Sequence, residues 1–593
     1  MNKYMSVAIL IILSTIALIH LNEMTNWSVD DAYISYRYTS NWADGLGPVF
    51  NAGEKVEGYS NFLHVVALSL LGKIGFDIEN ASRAIGWLSV IGLLALMTRF
   101  FYLRFSRHCA LFIFGAGLVL STATPLMIWA NGGLETLPFT LILFAAVTEY
   151  FLFLQDKSPR WLHSLLFGLL AISRPEGFAY FVPVLVFELG QILRHSKNKS
   201  EIFTKLAKQI IPFLAVLLPC LVFRRVYYGH WLPNTVVAKD SYQVYLSGLP
   251  FAKQVSDLIA SGGVQKISGF LSNVWGYWLL SIALLPFLNK EMRYRQLVLL
   301  AIVSVNFTVS IWNLGGWMNH YRLLVPTIPI IILMMTFGLE QVLLWMQKNF
   351  VPLLEANDAK KTSLQKRIQA NAICALLIFG FFACCADSIF YQRSDFTWKK
   401  KYHKEWIEFG EKLNTLATPN DLMASWFIGR IPYKAIKLNT LDILGLTDDV
   451  IAREGKKPND KESMKFGKTK WDYVVSRKPN LFMTKTKGEL RQVIRHVPGF
   501  MENMVEVRRR GPRRDNLWLF IDKDHPKLAE YLKTFNAVSG PVVAPPSRNA
   551  RKKQEIERKR EREREQEPKR LRSREMKLAD PSRQSRRRLT KGR

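Results

Sequence analysis

The sequence predicts a polytopic α-helical membrane protein followed by a small α/β domain and a disordered basic tail. Three observations predict it. Of the 593 residues, 49% are hydrophobic although 22% are charged, so charge and apolar residue must occupy different stretches. Apolar runs long enough, or nearly so, to cross about 30 Å of hydrocarbon recur through the first 390 residues. The net charge of +32 is also unevenly placed: residues 1–390 hold 30 Lys and Arg against 21 Asp and Glu, residues 391–547 hold 30 against 19, and residues 548–593 hold 20 against 8. That partition argues against a single globular nucleic-acid binder.

The apolar runs fall near 5–21, 80–98, 109–129, 135–154, 162–173, 176–190, 207–223, 269–288, 297–312, 322–346 and 371–390, about eleven spans. The first follows Lys3 and is followed by no small-x-small cleavage site, so it reads as an uncleaved anchor. The pair over 162–190 reads as two short halves broken at Arg174-Pro175, and 61–75 as a segment lying along the interface. Sidedness follows from the basic residues. With this assignment the loops 99–108, 155–161, 191–206, 289–296 and 347–370 hold 17 Lys or Arg in 65 residues, against about ten in about 120 residues of the opposite loops. The basic loops are cytoplasmic, and the polar, aromatic loops at 22–60, 130–135, 173–177, 224–268 and 312–321 lie outside with everything after residue 390. Chemistry on that side has no access to cytoplasmic nucleotide sugars and needs a lipid-carried activated group. Five cysteines (Cys109, Cys220, Cys374, Cys384, Cys385) sit in apolar runs without disulfide or zinc spacing.

The outer loops carry the polar chemistry. Asp30-Asp31 follows the first span, within VDDAYISYRY; paired carboxylates there suit a general base acting on a hydroxyl, or a helix start in a solvated loop. Tyr33 and Arg37 belong to the same run. Glu57, Tyr59 and Asn61 lie in a Gly- and Tyr-rich stretch that suits a sugar-binding wall or an ordered interfacial loop. Glu135, after Asn131-Gly132-Gly133, stands at the mouth of a helix, and Arg174 and Glu176 flank Pro175; at that depth charges are paired or functional. Arg224, Arg225, Tyr228, Asn234 and Lys239 form a candidate clamp for a lipid phosphate, because arginine forks match phosphate oxygens, although interfacial Arg and Tyr also anchor helices. Trp317, His320 and Arg322 complete the set. No third ligand is spaced for a metal; a divalent cation, Mg or Mn, on the Asp30-Asp31 pair stays open.

The segment 391–547 alternates short apolar runs with amphipathic stretches and reads as an α/β domain, in which Trp426, Tyr433, Asp442 and Asp448-Asp449 are structural or line an acceptor groove. The tail 548–593 holds too few apolar residues to bury a core.

In their order along the chain these motifs resemble a known family. DDAYISYRYTSNWADGLGPVFNAGEKVEGYSNFL, NGGLET, SRPEG, RRVYYGHWLPNTVVAK, GGWMNHYRLLVP and LDILGLTDDVIAR are similar to segments of GT-C membrane glycosyltransferases, the mycobacterial terminal β-(1→2)-arabinofuranosyltransferases in particular, over roughly residues 5–520. The resemblance implies a GT-C fold and an inverting transferase of a bacterial inner membrane, with its active site on the periplasmic side. It implies a polyprenyl-phosphate donor such as decaprenyl-phosphoryl-arabinofuranose and a hydroxyl of a cell-envelope glycan as acceptor, with an acidic base in the first outer loop. On this chain that base is Asp30 or Asp31, read with Asp30 as base and Asp31 as its orienting partner. Arg174, Arg224 and Arg225 are read as the phosphate's counter-charges. The sequence departs from the family's pattern at Trp317, which follows Gly316 where relatives often carry an acid. A surface-protein acceptor and a lipid-linked sugar flippase remain alternatives. Membrane lipids are expected partners and nucleic acid is not.

Overall fold

The computed structural model describes residues 3–535, apart from 26, 106–107, 197, 240–248, 261, 276–279, 314–315, 317, 350–375, 377–379, 384–396, 456–467, 485–489, 491–492, 495 and 510–516. Two compact units emerge, Met1–Met483 and Thr484–Arg593.

The first unit is built on a helical bundle. Its helices in order are α1 (Lys3–Glu23), α2 (Asp30–Ala43), α3 (Phe62–Lys73), α4 (Ile78–Arg104), α5 (Cys109–Thr122), α6 (Thr124–Asn131), α7 (Thr136–Phe153), α8 (Arg160–Ser173), α9 (Phe181–His195) and α10 (Lys199–Tyr228). There follow α11 (Asn234–Ala238), α12 (Phe251–Ile259), α13 (Gly262–Phe270), α14 (Lys290–Trp312) and α15 (Ile328–Asn349). Local signals set several ends. Asp77 accepts the Asn80 N–H at the start of α4, and Asn198 does the same for Ser200 at the start of α10. Gly229, at φ +78°, closes α10 in the left-handed conformation that favours glycine.

Seven helices among the described residues are long and apolar enough to cross a membrane, and eight if α5 and α6, bent by 56°, are one span. The stretch read from the sequence as a second half-span is instead long enough by itself: Pro175–His195 forms a 3₁₀ turn continuing into α9. The helix before it, α8, is short, as is α3. The run 371–390 lies mostly outside the described residues. α7 and α10 both pack on α8, and the core holds Phe100, Phe151 and Phe337 in mutual ring contact.

The same unit carries a parallel sheet in which β1 (Leu422–Ser425) pairs with β2 (Asn439–Asp442) on one side and β3 (Leu481–Thr484) on the other, Met423 lying opposite Thr440 and Leu481. Helices α16 (Thr397–Leu416), α17 (Arg430–Lys434), α18 (Asp449–Glu454) and α19 (Trp471–Ser476) connect or flank these strands. Each strand is almost wholly buried, as parallel sheets require. In the second unit β4 (Met504–Arg509) and β5 (Leu517–Asp522) form an antiparallel pair with Val507 opposite Leu519, followed by α20 (Leu528–Thr534).

Candidate active site

Asp30 and Asp31 form the first turn of α2, where the helix dipole favours acids. Adjacent residues on a helix point about 100° apart, so the two carboxylates meet different surroundings. Asp30 Oδ1 accepts the backbone N–H of Arg430 at 3.0 Å, with the Arg430 guanidinium 4.0 Å away. Asp31 lies within electrostatic reach of Lys239 and Arg322.

Around Asp31 the chain assembles charge from four segments. Glu135 Oε1 accepts Arg322 Nη2 at 2.8 Å and lies 3.7 Å from Arg174 Nε. Glu135 Oε2 accepts Asn61 Nδ2 at 3.1 Å, and Asn61 Oδ1 accepts the Ser35 hydroxyl of α2 at 3.1 Å. Arg174 Nη2 reaches Glu176 Oε1 at 2.6 Å. Burial alone would raise the Glu135 carboxyl, but Arg322 and Arg174 outweigh it and hold Glu135 below its ordinary value. Lys239 is within reach of Asp31, Arg322, Glu135 and Glu176; its side chain is solvent-accessible, yet protein crowds it, and desolvation lowers its pKa against the pull of Asp31. The cluster thus holds three acids and three bases, and Arg174 and Arg322 also stack over Phe139 and Trp129.

Backbone packing fixes this arrangement. The Val29 N–H donates to Gly132 O at 3.0 Å, and the Tyr36 hydroxyl and Ser82 Oγ donate to Gly133 O at 3.1 and 3.0 Å. Gly133 has φ +80°, and a Cβ there would lie 2.1 Å from Tyr36 Oη. The two glycines are therefore what lets α2 dock beside Glu135.

Several sequence-predicted residues serve the frame instead. Arg37 is buried, donating to Phe50 O at 2.7 Å, Pro432 O at 2.6 Å and Leu438 O at 2.8 Å, and burial lowers its pKa to about 10. Tyr33 is buried against Tyr36 and Tyr433. Glu57 is paired with Arg224 at 2.6 Å; burial pushes its carboxyl up to about 7 although Arg224 opposes the shift. The Tyr59 and Tyr228 hydroxyls meet at 3.0 Å, and Tyr228 donates to Pro48 O. Asn234 Nδ2 donates to Gly445 O at 2.7 Å and Asp448 O at 3.1 Å. Arg225 donates to Gly229 O at the end of its own helix. His320 sits in a loop at φ +55°, its carbonyl accepting Trp129 Nε1 at 3.1 Å. Trp317 lies outside the described residues. Of the three arginines read as counter-charges, only Arg174 stands in the cluster; Arg224 and Arg225 are held by Glu57 and by a helix end.

In the sheet domain, Asp442 accepts the N–H groups of Thr447 and Leu444 at 2.8 and 2.9 Å, and Asp448 caps α18 through Ile451 N at 2.9 Å, so these acids hold a turn together. That turn meets Gly58, whose Cβ position lies 2.5 Å from Thr447 Cγ2. Arg430 escaped the sequence reading: nothing local in GRIPYK distinguishes it from a surface arginine.

Among the described residues no three His, Cys, Asp or Glu side chains form a metal-binding group. Asp30 is bound to a backbone amide, and Glu135 and Glu176 face arginines.

Residues 395–542 match a domain family described only as a domain of unknown function, DUF8728. The terminal β-(1→2)-arabinofuranosyltransferase of Mycobacterium tuberculosis is 27% identical over 229 residues, a match that spans 36% of this chain and 35% of that protein. The crystal structure of ArnT from Cupriavidus metallidurans bound to undecaprenyl phosphate superposes with a TM-score of 0.53 at 12% identity, over 88% of this chain and 99% of ArnT. The apo form of ArnT gives 0.52 at 12% identity over 86% and 97%. The chain has the fold of ArnT.

Proposed function

We propose that the chain is an inverting glycosyltransferase that moves a sugar from a polyprenyl-phosphate carrier to a hydroxyl of a cell-envelope glycan, with arabinofuranose or a related pentose as the sugar. The observation that carries this reading is the cluster in which Arg174 and Arg322 share Glu135, with Lys239 and Asp31 within electrostatic reach. An acid that is to accept a proton and cations that are to receive a phosphate stand together at one end of the bundle. The ArnT structure is of a complex with undecaprenyl phosphate, and the curated relative is an arabinofuranosyltransferase, which supports a lipid-linked pentose donor. An apolar groove of about 630 Å³ between α9 and α14, lined by Ala179, Pro183, Phe187, Leu300 and Val305, starts five residues beyond Arg174 and suits an isoprenoid chain.

In this reading Asp31, not Asp30, is the general base. Its carboxylate takes the proton of the acceptor hydroxyl as that oxygen attacks the anomeric carbon. The bond from that carbon to the phosphate oxygen breaks on the opposite face, its electron pair leaves with the polyprenyl phosphate, and configuration inverts. The charge passing through an oxocarbenium-like transition state is met by Arg322, Lys239 and Arg174, held in place before the reaction. Glu135 acts by orienting the two arginines. No step is routed through a metal.

The membrane placement belongs to the same proposal. The eight spans counted with α5–α6 as one, together with α8, 269–288 and 371–390, make eleven crossings. The 17 basic residues of the alternate loops then favour the periplasmic face of a bacterial inner membrane for the site and the sheet domain. The test is transfer in vitro with purified protein, synthetic polyprenyl-phosphoryl sugars and an oligosaccharide acceptor. An inverted anomeric linkage in the product supports the proposal; carrier translocation in proteoliposomes without any transfer overturns it.

A further inference from the structure

The sheet domain reaches back to the helix that carries the acids, and it does so on one face. Asp30, Tyr33 and Arg37 are spaced three and four apart and so line one side of α2. All three meet the segment 429–438. The Arg430 N–H donates to Asp30 Oδ1 at 3.0 Å, and Arg430 Nη2 donates to Ser28 O, just before α2, at 2.7 Å. The guanidinium lies 5.0 Å over the Tyr33 ring and 5.8 Å from the Trp406 ring of α16. Tyr433 packs on Tyr33 and Tyr36 at 5.5 and 5.9 Å, and Arg37 donates to the carbonyls of Pro432 and Leu438. Gly429 comes so close that a Cβ would lie 2.2 Å from Asp30 O. Arg430 is buried.

We propose that Arg430 is a positioning residue for the reaction: the domain of unknown function grips α2 through it and thereby fixes the direction of Asp31, the next residue around the helix. The inference rests on the reading of Asp31 as base. It gives the 395–542 segment a catalytic task without a substrate contact. Stacking on Tyr33 and bonding to Ser28 O restrain the first turn of α2 from two sides, and misplacing a base by about 1 Å costs roughly 100-fold in rate.

The experiment compares Arg430→Ala, Arg430→Lys and Asp31→Asn in the full-length purified protein, with synthetic polyprenyl-phosphoryl sugar as donor. Thermal melting in detergent serves as the folding control. Arg430→Ala is expected to lower kcat roughly 10- to 100-fold while KM for the donor changes less than about threefold. Arg430→Lys, whose ammonium still reaches Ser28 O, should recover part of that loss. A folded Arg430→Ala enzyme with unchanged kcat overturns the proposal, as does a loss expressed mainly in KM. If Arg430→Ala does not accumulate, Arg430→Lys decides by the same split between kcat and KM. Asp31→Asn separates the two claims. An inactive Asp31→Asn beside a fully active Arg430→Ala sinks the positioning role alone, whereas an active Asp31→Asn sinks the base assignment on which it stands.

Discussion

Glu135 accepts Arg322 Nη2 at 2.8 Å with the same oxygen that lies 3.7 Å from Arg174 Nε. One buried carboxylate therefore holds two arginines; removing its charge takes from Arg322 its closest acid and leaves Arg174 with Glu176 alone. Breaking a buried ion pair from one side costs about 3–5 kcal/mol. Glu135→Gln is expected to lower the melting temperature in detergent and to cut turnover by at least tenfold. A variant with the stability and turnover of the parent would show that the arginines are placed by other means.

Lys239 is the cation with the fewest structural duties. A hydrogen bond to a charged group is worth about 1.5–3 kcal/mol, so Lys239→Ala should raise KM for the lipid-linked donor roughly 10- to 100-fold, with melting unaffected. Donor titrations at fixed acceptor concentration measure this. A change confined to acceptor KM would move Lys239 to the other substrate.

Gly133 sets how closely α2 approaches. Gly133→Ala places a Cβ 2.1 Å from Tyr36 Oη at φ +80°, an overpacking expected to cost about 1–3 kcal/mol. Thermal unfolding should show it. Gly53, also at positive φ but with nothing within 4 Å of its Cβ position, should tolerate alanine better.

Glu57 gives a pH signature. Its ordinary value of 4.5 is pushed up to about 7, first by burial, with Arg224 opposing. Folded protein therefore binds more protons than unfolded protein between those values, and stability falls as pH rises through that window. Melting temperatures measured from pH 4.5 to 7.5 should decline on this account, and Glu57→Gln should flatten the slope. An equal slope in the variant would assign the dependence to another group.

The sequence was most legible where charge is costly. Glu135, Arg174 and Glu176 stood out because ions at that depth need partners, Lys239 as part of a phosphate clamp and Arg322 at a helix entrance; the structure draws these five side chains into one charge cluster. It was less legible where a residue's role depends on which face of an element it occupies. Glu57 looked like a sugar ligand by composition and Arg37 stood out beside the acids, but both are buried and bound to the frame. The dipeptide does not distinguish Asp30 from Asp31, and the sequence reading favoured Asp30 as base; the reversal proposed here rests on Arg430, 400 residues away, which ties down Asp30. The run read as 176–190 extends to His195 in the structure, because the polar residues Gln191, Arg194 and His195 continue the helix past the last apolar stretch.

The most direct test of the account compares Asp31→Asn with Asp30→Asn for transfer of a synthetic polyprenyl-phosphoryl pentose. Asparagine at 30 retains an oxygen able to accept the Arg430 N–H, whereas asparagine at 31 cannot accept the acceptor's proton. The account predicts loss of turnover by at least 100-fold for Asp31→Asn, in keeping with the 10²–10⁴ that general bases contribute, and a loss of less than about tenfold for Asp30→Asn. The reverse order, or near-normal transfer by Asp31→Asn, would contradict it.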